Sequence, residues 1–389
     1  MKRNNQHSTK RKVKRTSREI KRKSPLKFIV IGLLVLLIVG LITTYYFRPE
    51  LFEGFFPNPE QQEPGERPVE PEEPGERPQN SDGFFYYTDY MMGPGEFYYS
   101  VQGLYGVELL VALRELMWST FNPVTYNDVR FILEVSDRYY GWEYQNVRGI
   151  YDQLKIANQW IGSGEGAWQR EHVWPNSKLG VPRVGQTQRN IASDLHNLRA
   201  IGRINQTRSN RFFANPITPM TQAGIITDFP DVTAANRPWY ASTMDNGDVA
   251  RIMFYMVVMY DTLQLTNNID DLISNSATNY RPEGAFGGLK SDLLEWHRLD
   301  PVCRFEIERN EYIYSHSGPQ GPAARQPNGN LITPQGNRNP FIDRPDFVHL
   351  IFEGMTIECI TQSIEVVSED KKIILEVILV LPKRQIILR

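Results

Sequence analysis

The sequence predicts an α+β protein that is mainly helical, contains a small strand–loop–strand–helix unit, and is preceded by one N-terminal transmembrane helix. Three observations lead to this fold class. Residues 28–47 form a twenty-residue stretch without a charge. Apolar residues recur at helical spacing in several later segments, and residues 168–213 change from strand to loop to helix character. With 41% hydrophobic residues, the chain of 389 residues can bury a core, which excludes a disordered protein.

Charge is distributed unevenly along a chain whose formal net charge is −2. Residues 1–27 carry 12 basic side chains and one acidic side chain, whereas residues 48–82 carry three basic and ten acidic ones. Residues 83–389 keep a net charge of −6, which excludes a uniformly basic nucleic-acid coat protein. Two cysteines exclude a disulfide-dense scaffold and a cysteine-rich zinc module, and they leave open whether Cys303 and Cys359 pair.

Residues 28–47 are long enough to cross a bilayer as a helix. Because the basic segment 1–27 precedes them, the positive-inside rule predicts a cytoplasmic N-terminus and an extracytoplasmic remainder. A cleaved signal peptide is the alternative, but the stretch is long for one and no small-residue cleavage site follows it. We expect an uncleaved, single-pass cell-membrane anchor; cleavage, and therefore secretion, stays open.

Residues 48–82 are predicted to be a solvated linker. Proline and glutamate are dense there, and the sequence EPGERP occurs twice, at Glu63–Pro68 and Glu73–Pro78. Such a composition extends a chain and offers nothing apolar to bury. The linker would hold a folded domain, residues 83–354, away from the membrane surface.

The folded part is predicted to be mainly helical. The aromatic segment 83–99 is expected to pack onto the domain, residues 315–334 are expected to form a loop, and residues 355–389 a C-terminal tail with a possible β-hairpin. The helix that is apolar on nearly all sides is expected to be buried in the centre. The predicted helices are Gly106–Leu116, Tyr126–Ser136, Gly247–Leu265, Asp292–Leu299 and a segment from Asp300 to about Tyr314. The third of these, Gly247–Leu265, is the central helix.

Residues 168–213 carry the candidate chemistry. Glu171 and His172 are neighbours, so on a strand they point to opposite faces and serve different partners unless the backbone is irregular. Leu195–Ile201 is predicted to be a second strand, and Arg203–Phe213 a helix with Asn205 in its first turn. The region therefore offers a carboxylate, an imidazole and an amide within one small unit.

The same region is locally basic. Between Lys178 and Arg211 there are seven basic residues and one acidic residue, Asp194. A basic patch around a carboxylate and a histidine suits a polyanionic substrate and a divalent metal. Carboxylate and amide oxygens favour Mg²⁺ or Ca²⁺ over zinc.

These residues resemble the endonuclease I family, which comprises extracellular or periplasmic nucleases with a ββα-metal, or His-Me, finger. Further matching blocks follow at 247–251, 294–302, 309–310 and 336–343, so the resemblance covers roughly residues 95–352 in order. The blocks that carry it most specifically are Arg170-Glu171-His172-x-x-Pro175-x-Ser177-x-x-Gly180, Asp194 to Arg199, and Asn205-x-x-Arg208-Ser209-Asn210.

The resemblance implies a role for each position. His172 matches the general base that takes a proton from the attacking water. Glu171 and Asn205 match the protein ligands of one divalent ion, Mg²⁺ first and Ca²⁺ or Mn²⁺ as alternatives. Arg189 is the nearest match to the arginine that holds the phosphate, and Arg183 is its rival. Supporting roles, without direct chemistry, are expected for Arg170, Asp194, His196, Asn197 and Arg208.

The expected function is therefore a metal-dependent, largely sequence-nonspecific endonuclease. It would cut extracellular DNA and RNA and leave a 5′-phosphate; no protein partner is implied. The alternatives are a catalytically inactive surface protein that binds nucleic acid or a partner, and a related enzyme with narrow substrate choice. Residues 315–334 depart from the family pattern, since a much shorter connection is expected there, and the tail lies outside the resemblance.

Overall fold

The computed structural model describes residues 90–139, 145–158, 166–230, 232–274 and 286–354. The elements in these ranges are numbered in chain order. The helices are α1 (Gly106–Thr120), α2 (Tyr126–Ser136), α3 (Asn205–Arg208), α4 (Asn246–Met259), α5 (Ile269–Ser274), α6 (Lys290–Leu299), α7 (Arg304–Ser315), α8 (Pro340–Asp343) and α9 (Asp346–Phe352). The strands are β1 (Asn146–Arg148), β2 (Lys155–Ala157), β3 (Gln169–His172), β4 (Leu198–Ile201), β5 (Gly224–Ile225) and β6 (Trp239–Tyr240).

Helix α4 is the centre of the larger hydrophobic core. It is buried over nearly its whole length, as its apolar composition predicts, and it packs against α1, α6 and α8. Gly247 in its first turn lies so close to Asp300 that an added Cβ would sit 1.9 Å from the Asp300 carbonyl oxygen. The Gly247 N–H also donates to the Asp300 carboxylate at 2.8 Å. Only glycine allows this approach, which joins the start of α4 to the end of α6.

A second core lies beneath the strand–loop–strand unit. It joins apolar residues of α2 and α7 to Trp168 and to Leu198 and Ala200 of β4. Trp168 and Trp174 are both buried, with Trp174 in the larger core. Tyr98 is also buried and donates to Asp343 at 2.7 Å, so the aromatic segment before α1 packs onto the domain within residues 90–99.

The described strands form three antiparallel pairs, β1–β2, β3–β4 and β5–β6. In the pair that matters for the site, Glu171 lies opposite Arg199 and His172 opposite Leu198. The predicted order of strand, loop, strand and helix is confirmed, together with a mixed and mainly helical architecture. The pairs β1–β2 and β5–β6 were not predicted; their strands of two or three residues are too short to show an alternating pattern.

Several predicted boundaries are wrong. The last of the predicted helices begins at Arg304 and not at Asp300. The second strand begins at Leu198 and not at Leu195, because the Asn197 N–H donates to the Asp194 carbonyl and closes a turn. The helix predicted for Arg203–Phe213 ends at Arg208, where Ser209 has φ 50°. The central helix ends at Met259, and Tyr260 is extended.

The Asp137 carboxylate at the end of α2 fixes the position of β4. It accepts hydrogen bonds from Arg309 Nε at 2.7 Å, the Ala200 N–H at 2.8 Å and Arg199 Nε at 3.3 Å. Burial alone would raise the pKa of Asp137, but Arg309 and Arg199 outweigh it and hold the pKa below its usual value. Asp137 is therefore a buried anion on which two buried cations depend.

Several expectations fall outside the described residues. They are the basic segment 1–27, the anchor 28–47, the linker 48–82, the tail 355–389 and the pairing of Cys303 with Cys359. Within the described ranges, no helix combines the length and the hydropathy that a bilayer span requires.

Replacing Asp137 with Asn should strongly destabilise the protein. The substitution leaves Arg199 and Arg309 buried without their shared counter-charge, a loss of about 3–5 kcal/mol in the free energy of unfolding. Urea unfolding followed by circular dichroism measures it. The control is Asp270→Asn, an exposed carboxylate in the first turn of α5, which should change stability by less than about 0.5 kcal/mol. Equal stabilities of the two variants would contradict the role given to Asp137.

Candidate active site

Strand β3 and helix α3 place four polar side chains on one surface. Gln169 and Glu171 are two residues apart on β3 and so share a face. Asn205 and Arg208 are three residues apart on α3 and so share a side of the helix. The contacts match these faces: Asn205 Nδ2 donates to Gln169 Oε1 at 2.7 Å, and Arg208 Nε lies 3.6 Å from Glu171 Oε1. Glu171 and Asn205 therefore border the same small region.

Glu171 is buried and only half satisfied. Its Oε1 atom accepts a hydrogen bond from the Tyr151 hydroxyl at 2.8 Å. Burial raises the pKa of Glu171 to about 7, although Arg208 and the Tyr151 hydroxyl act to lower it. Among the described residues none hydrogen-bonds to the second oxygen, Oε2. The pKa shows that the negative charge of this carboxylate is undercompensated within the protein.

His172 is held in one tautomer by the backbone. Its Nε2 lies 2.8 Å from the carbonyl oxygen of Ala192. A carbonyl can only accept, so Nε2 carries the hydrogen and Nδ1 of the neutral ring presents a lone pair. None of the described residues hydrogen-bonds to Nδ1. Burial lowers the pKa of His172 to about 4. The Ala192 carbonyl acts to raise this pKa, and Arg170 acts to lower it further.

Tyr126, the first residue of α2, supports the His172 side of β3. The two rings stack with centroids 5.6 Å apart and an angle of 28°. Arg170 lies on the same face of β3, with its guanidinium carbon 3.5 Å from the centre of the Tyr126 ring, and it also donates to the Tyr126 carbonyl. Glu171 and His172 thus have separate surroundings on opposite faces of β3, as strand geometry requires.

The basic patch is smaller than the count of charges suggests. Lys178, Arg199 and Arg208 are buried inside the domain, so they do not contribute exposed charge to the predicted basic patch. Arg183 and Arg189 are exposed, and neither has a hydrogen-bond or ion-pair partner among the described residues. Arg189 follows Gln188, whose carbonyl accepts from the Tyr126 N–H at 3.0 Å, so Arg189 is tied to the His172 side and Arg183 has no such link.

The residues expected to support the site are internal parts of the fold. Asp194 accepts from the hydroxyls of Tyr255 and Tyr260 at 2.8 and 2.7 Å. The Asn197 amide binds both backbone polar groups of Trp174, at 2.6 and 3.1 Å, and so fixes the chain just after β3. His196 Nε2 lies 3.2 Å from the Asn337 carbonyl.

Arg208 is a structural cation between the strand and the helix. Its side chain is buried, donates to the carbonyls of Val173 and Ser209 at 3.0 and 3.1 Å, and lies against the Phe213 ring at 4.4 Å. These contacts occupy the guanidinium within the protein. Arg208 therefore orients Glu171 and closes the end of α3.

Sequence reasoning missed four groups that shape the site: Tyr126, Tyr151, Gln169 and the Ala192 carbonyl. Gln169 could have been found, because it lies two residues before Glu171 on the same strand. Nothing in the sequence connects Tyr151 with Glu171 or Tyr126 with His172, since both pairs form only when separate elements pack together.

The oxygens around β3 and α3 suit a divalent ion. Glu171 Oε2 and Asn205 Oδ1 have no hydrogen-bond partner among the described residues, and the bond from Asn205 Nδ2 to Gln169 fixes the amide. A carboxylate and an amide oxygen are hard ligands of the kind that Mg²⁺ and Ca²⁺ take.

A second cluster of ligand-type atoms lies deeper, where Asp248, Cys303 and Glu306 come within 4.8 Å of one another. Both carboxylates of this cluster are paired with arginines. Arg251 binds Glu306 at 2.6 Å, and Arg199 binds Asp248 at 3.1 Å. The cluster is therefore part of a buried ion-pair network.

Comparison with known proteins identifies the family. The family model described as Endonuclease I matches residues 117–328. The extracellular ribonuclease of Bacillus subtilis (strain 168) is 32% identical over 208 residues, which are 53% of this chain and 62% of that protein. The extracellular ribonuclease of Bacillus amyloliquefaciens is 30% identical over 257 residues, which are 66% of this chain and 78% of that protein. The chain belongs to the endonuclease I family of nuclease enzymes.

The stability conferred by His196 should depend on pH. Burial, helped by Arg309, lowers the pKa of His196 to about 3, whereas the unfolded side chain has a pKa of about 6.5. Below a pH of about 6.5 the unfolded chain binds a proton at His196 that the folded chain does not. The free energy of unfolding therefore decreases as the pH falls. Between pH 7.5 and 5 the wild type should lose about 2 kcal/mol more free energy of unfolding than His196→Gln, which cannot titrate. Urea unfolding at both pH values measures the difference, and parallel losses would contradict it.

Proposed function

We propose that this protein is a metal-dependent endonuclease that hydrolyses phosphodiester bonds in RNA and DNA with little sequence preference. His172 is the general base, Glu171 and Asn205 hold one divalent metal, and the product carries a 5′-phosphate. Membership of the endonuclease I family supports the nuclease activity. The two relatives named as ribonucleases support RNA as a substrate, and the resemblance of the motifs supports DNA.

The tautomer of His172 is the observation that supports the proposal most directly. With Nε2–H donated to Ala192, the lone pair of Nδ1 is the group that can take a proton from water. Stacking on Tyr126 limits rotation of the ring. Because the lowered pKa keeps the imidazole neutral at neutral pH, the base is in its active form without a partner carboxylate.

Glu171 and Asn205 have complementary roles on the other side of β3. They present one free oxygen each, and Gln169 and Tyr151 fix their orientation. A divalent ion bound there would supply charge neutralisation for the phosphate and for the departing 3′-oxygen. His172 is the last residue of β3 and directly follows Glu171, and consecutive Cα atoms are about 3.8 Å apart. A substrate bound at the end of the strand can therefore contact both Glu171 and His172.

Arg189 is our candidate for the phosphate-binding cation. It is exposed, its guanidinium is free of partners among the described residues, and its neighbour Gln188 bonds to Tyr126 beside His172. An arginine can hold two phosphate oxygens at once, which orients the phosphate toward the base.

We also propose that the protein acts outside the cell while held at the membrane by residues 28–47. The uncharged stretch and the preceding basic segment support the anchor, and the extracellular location in the names of the relatives supports the side of the membrane. Extraction of the full-length chain from membranes by detergent, but not by high salt, would be the expected result.

Replacing His172 with Ala should lower the cleavage rate by at least about a hundredfold, because the general base contributes about 10²- to 10⁴-fold. The assay is the degradation of total RNA and of plasmid DNA in Mg²⁺, with end-group analysis of the products. The control His316→Asn removes another buried histidine, at φ 52°, a conformation that Asn accepts, and should keep activity. Full activity of folded His172→Ala would overturn the assignment of the base.

Removing the metal or its ligands should have a matched effect on activity and on thermal stability. EDTA should abolish cleavage. Saturating Mg²⁺ should raise the melting temperature of the wild type but not that of Glu171→Gln or Asn205→Ala, because an ion that binds only the folded chain stabilises it. An unchanged shift in both variants would mean that the ion binds elsewhere.

A further inference from the structure

The turn between β1 and β2 contains two residues in an uncommon backbone conformation. The Gly149 N–H donates to the Leu154 carbonyl at 2.9 Å and closes this turn. Within it, Tyr151 has φ 79° and Gln153 has φ 51°, in the left-handed region that favours glycine. A tyrosine is disfavoured there, because its Cβ crowds the following carbonyl. Residues held in such conformations cluster at functional sites, which makes Tyr151 a candidate for a functional role.

Packing explains the ring of Tyr151 but not its hydroxyl. The side chain is buried in the larger core, with its ring centroid 5.9 Å from that of Trp239 and 6.3 Å from that of Phe213. The Ile150 N–H donates to the Ala200 carbonyl of β4 at 2.9 Å and so fixes the turn to the strand that pairs with β3. A phenylalanine would make the same apolar contacts. The hydroxyl therefore needs a separate explanation.

The Tyr151 hydroxyl lies between Arg208 and Glu171. Arg208 Nε donates to the hydroxyl oxygen at 3.2 Å. Because a guanidinium group can only donate, the hydroxyl hydrogen is left for Glu171 Oε1, which lies at 2.8 Å. Arg208 Nε is itself 3.6 Å from Glu171 Oε1, which is too far for a hydrogen bond. The hydroxyl thus joins the cation to the carboxylate and keeps the two from bonding directly.

This arrangement decides how Glu171 can be used. The hydroxyl occupies Oε1, and no described residue hydrogen-bonds to Oε2. If the hydroxyl were removed, Arg208 Nε would be buried without an acceptor, a cost that favours a direct bond to the Glu171 carboxylate. Such a charge-assisted bond would be strong and would compensate the negative charge that attracts a divalent ion.

We propose that Tyr151 is a positioning residue for the divalent-metal site: its hydroxyl keeps Arg208 from bonding directly to Glu171 and leaves Oε2 for the ion. The inference rests on the proposed function, in which Glu171 is a metal ligand. Tyr151 acts through Glu171, since its hydroxyl is already engaged on both sides. Groups that orient a metal ligand typically change metal affinity by about 10- to 100-fold when they are removed.

The first test measures Mg²⁺ binding to the full-length chain by calorimetry, without substrate. Tyr151→Phe should bind Mg²⁺ at least about tenfold more weakly than the wild type. Tyr98→Phe is the matched control, because the buried Tyr98 hydroxyl also donates to a carboxylate, Asp343, that Arg338 binds as well. It should leave Mg²⁺ affinity unchanged. Both variants keep the aromatic ring and should stay folded, which circular dichroism checks.

The second test follows the cleavage of total RNA over a range of Mg²⁺ concentrations. Tyr151→Phe should need at least about tenfold more Mg²⁺ for its half-maximal rate. At saturating Mg²⁺ it should approach the wild-type rate, because His172 and Glu171 are intact. Glu171→Gln should not be rescued in this way. A purely structural role of the hydroxyl would instead lower the rate by the same factor at every Mg²⁺ concentration.

The outcomes separate this inference from the proposed function. Suppose that the wild type binds Mg²⁺ and Glu171→Gln does not. Equal Mg²⁺ affinities of the wild type and Tyr151→Phe would then overturn the role of Tyr151 and leave the proposed metal site standing. If the wild type binds no Mg²⁺, or if Glu171→Gln binds it as tightly as the wild type, the proposed metal ligand is wrong, and the inference about Tyr151 fails with it.

Discussion

The structure depends on one buried anion, the carboxylate of Asp137. It binds Arg199 and Arg309, and it accepts the N–H of Ala200, so side chains of β4 and α7 meet at the end of α2. Arg309 also donates to the carbonyls of Leu195 and Leu198, the latter in β4. The partner strand β3 can keep its register only if β4 is fixed. The candidate catalytic pair on β3 is therefore positioned by charges that hold its partner strand in place.

The placement of two functional neighbours on opposite faces of one strand has a physical advantage. Glu171 needs surroundings that leave a negative charge undercompensated, and His172 needs surroundings that keep an imidazole neutral. One shared pocket would couple the two, since a carboxylate beside the ring would raise the pKa of the histidine. The strand separates the two surroundings by the thickness of the backbone, while sequence adjacency keeps them near one substrate.

Predictions from the sequence were right where the information is local. They failed where a feature depends on packing between distant segments. Helix α2 has the predicted bounds because its cap residue Thr125 and its apolar positions are read within one segment. The order of strand, loop, strand and helix was also readable from the sequence. The burial of Lys178, Arg199 and Arg208 was not, because a count of charges along the chain cannot show which arginines find carboxylates from distant elements.

The acceptor that holds the His172 ring is a main-chain carbonyl, with consequences for how this site can evolve. The Ala192 carbonyl belongs to a short 3₁₀ turn, Ile191–Ser193, held by a capping box with Asn190. Every amino acid at position 192 offers the same carbonyl oxygen, so no single exchange of that side chain deletes the contact. The tautomer of the base is thus robust to sequence drift at the contact itself and sensitive to changes in loop length and turn conformation. The side chain at position 192 can therefore change without loss of the contact, provided that the turn keeps its shape.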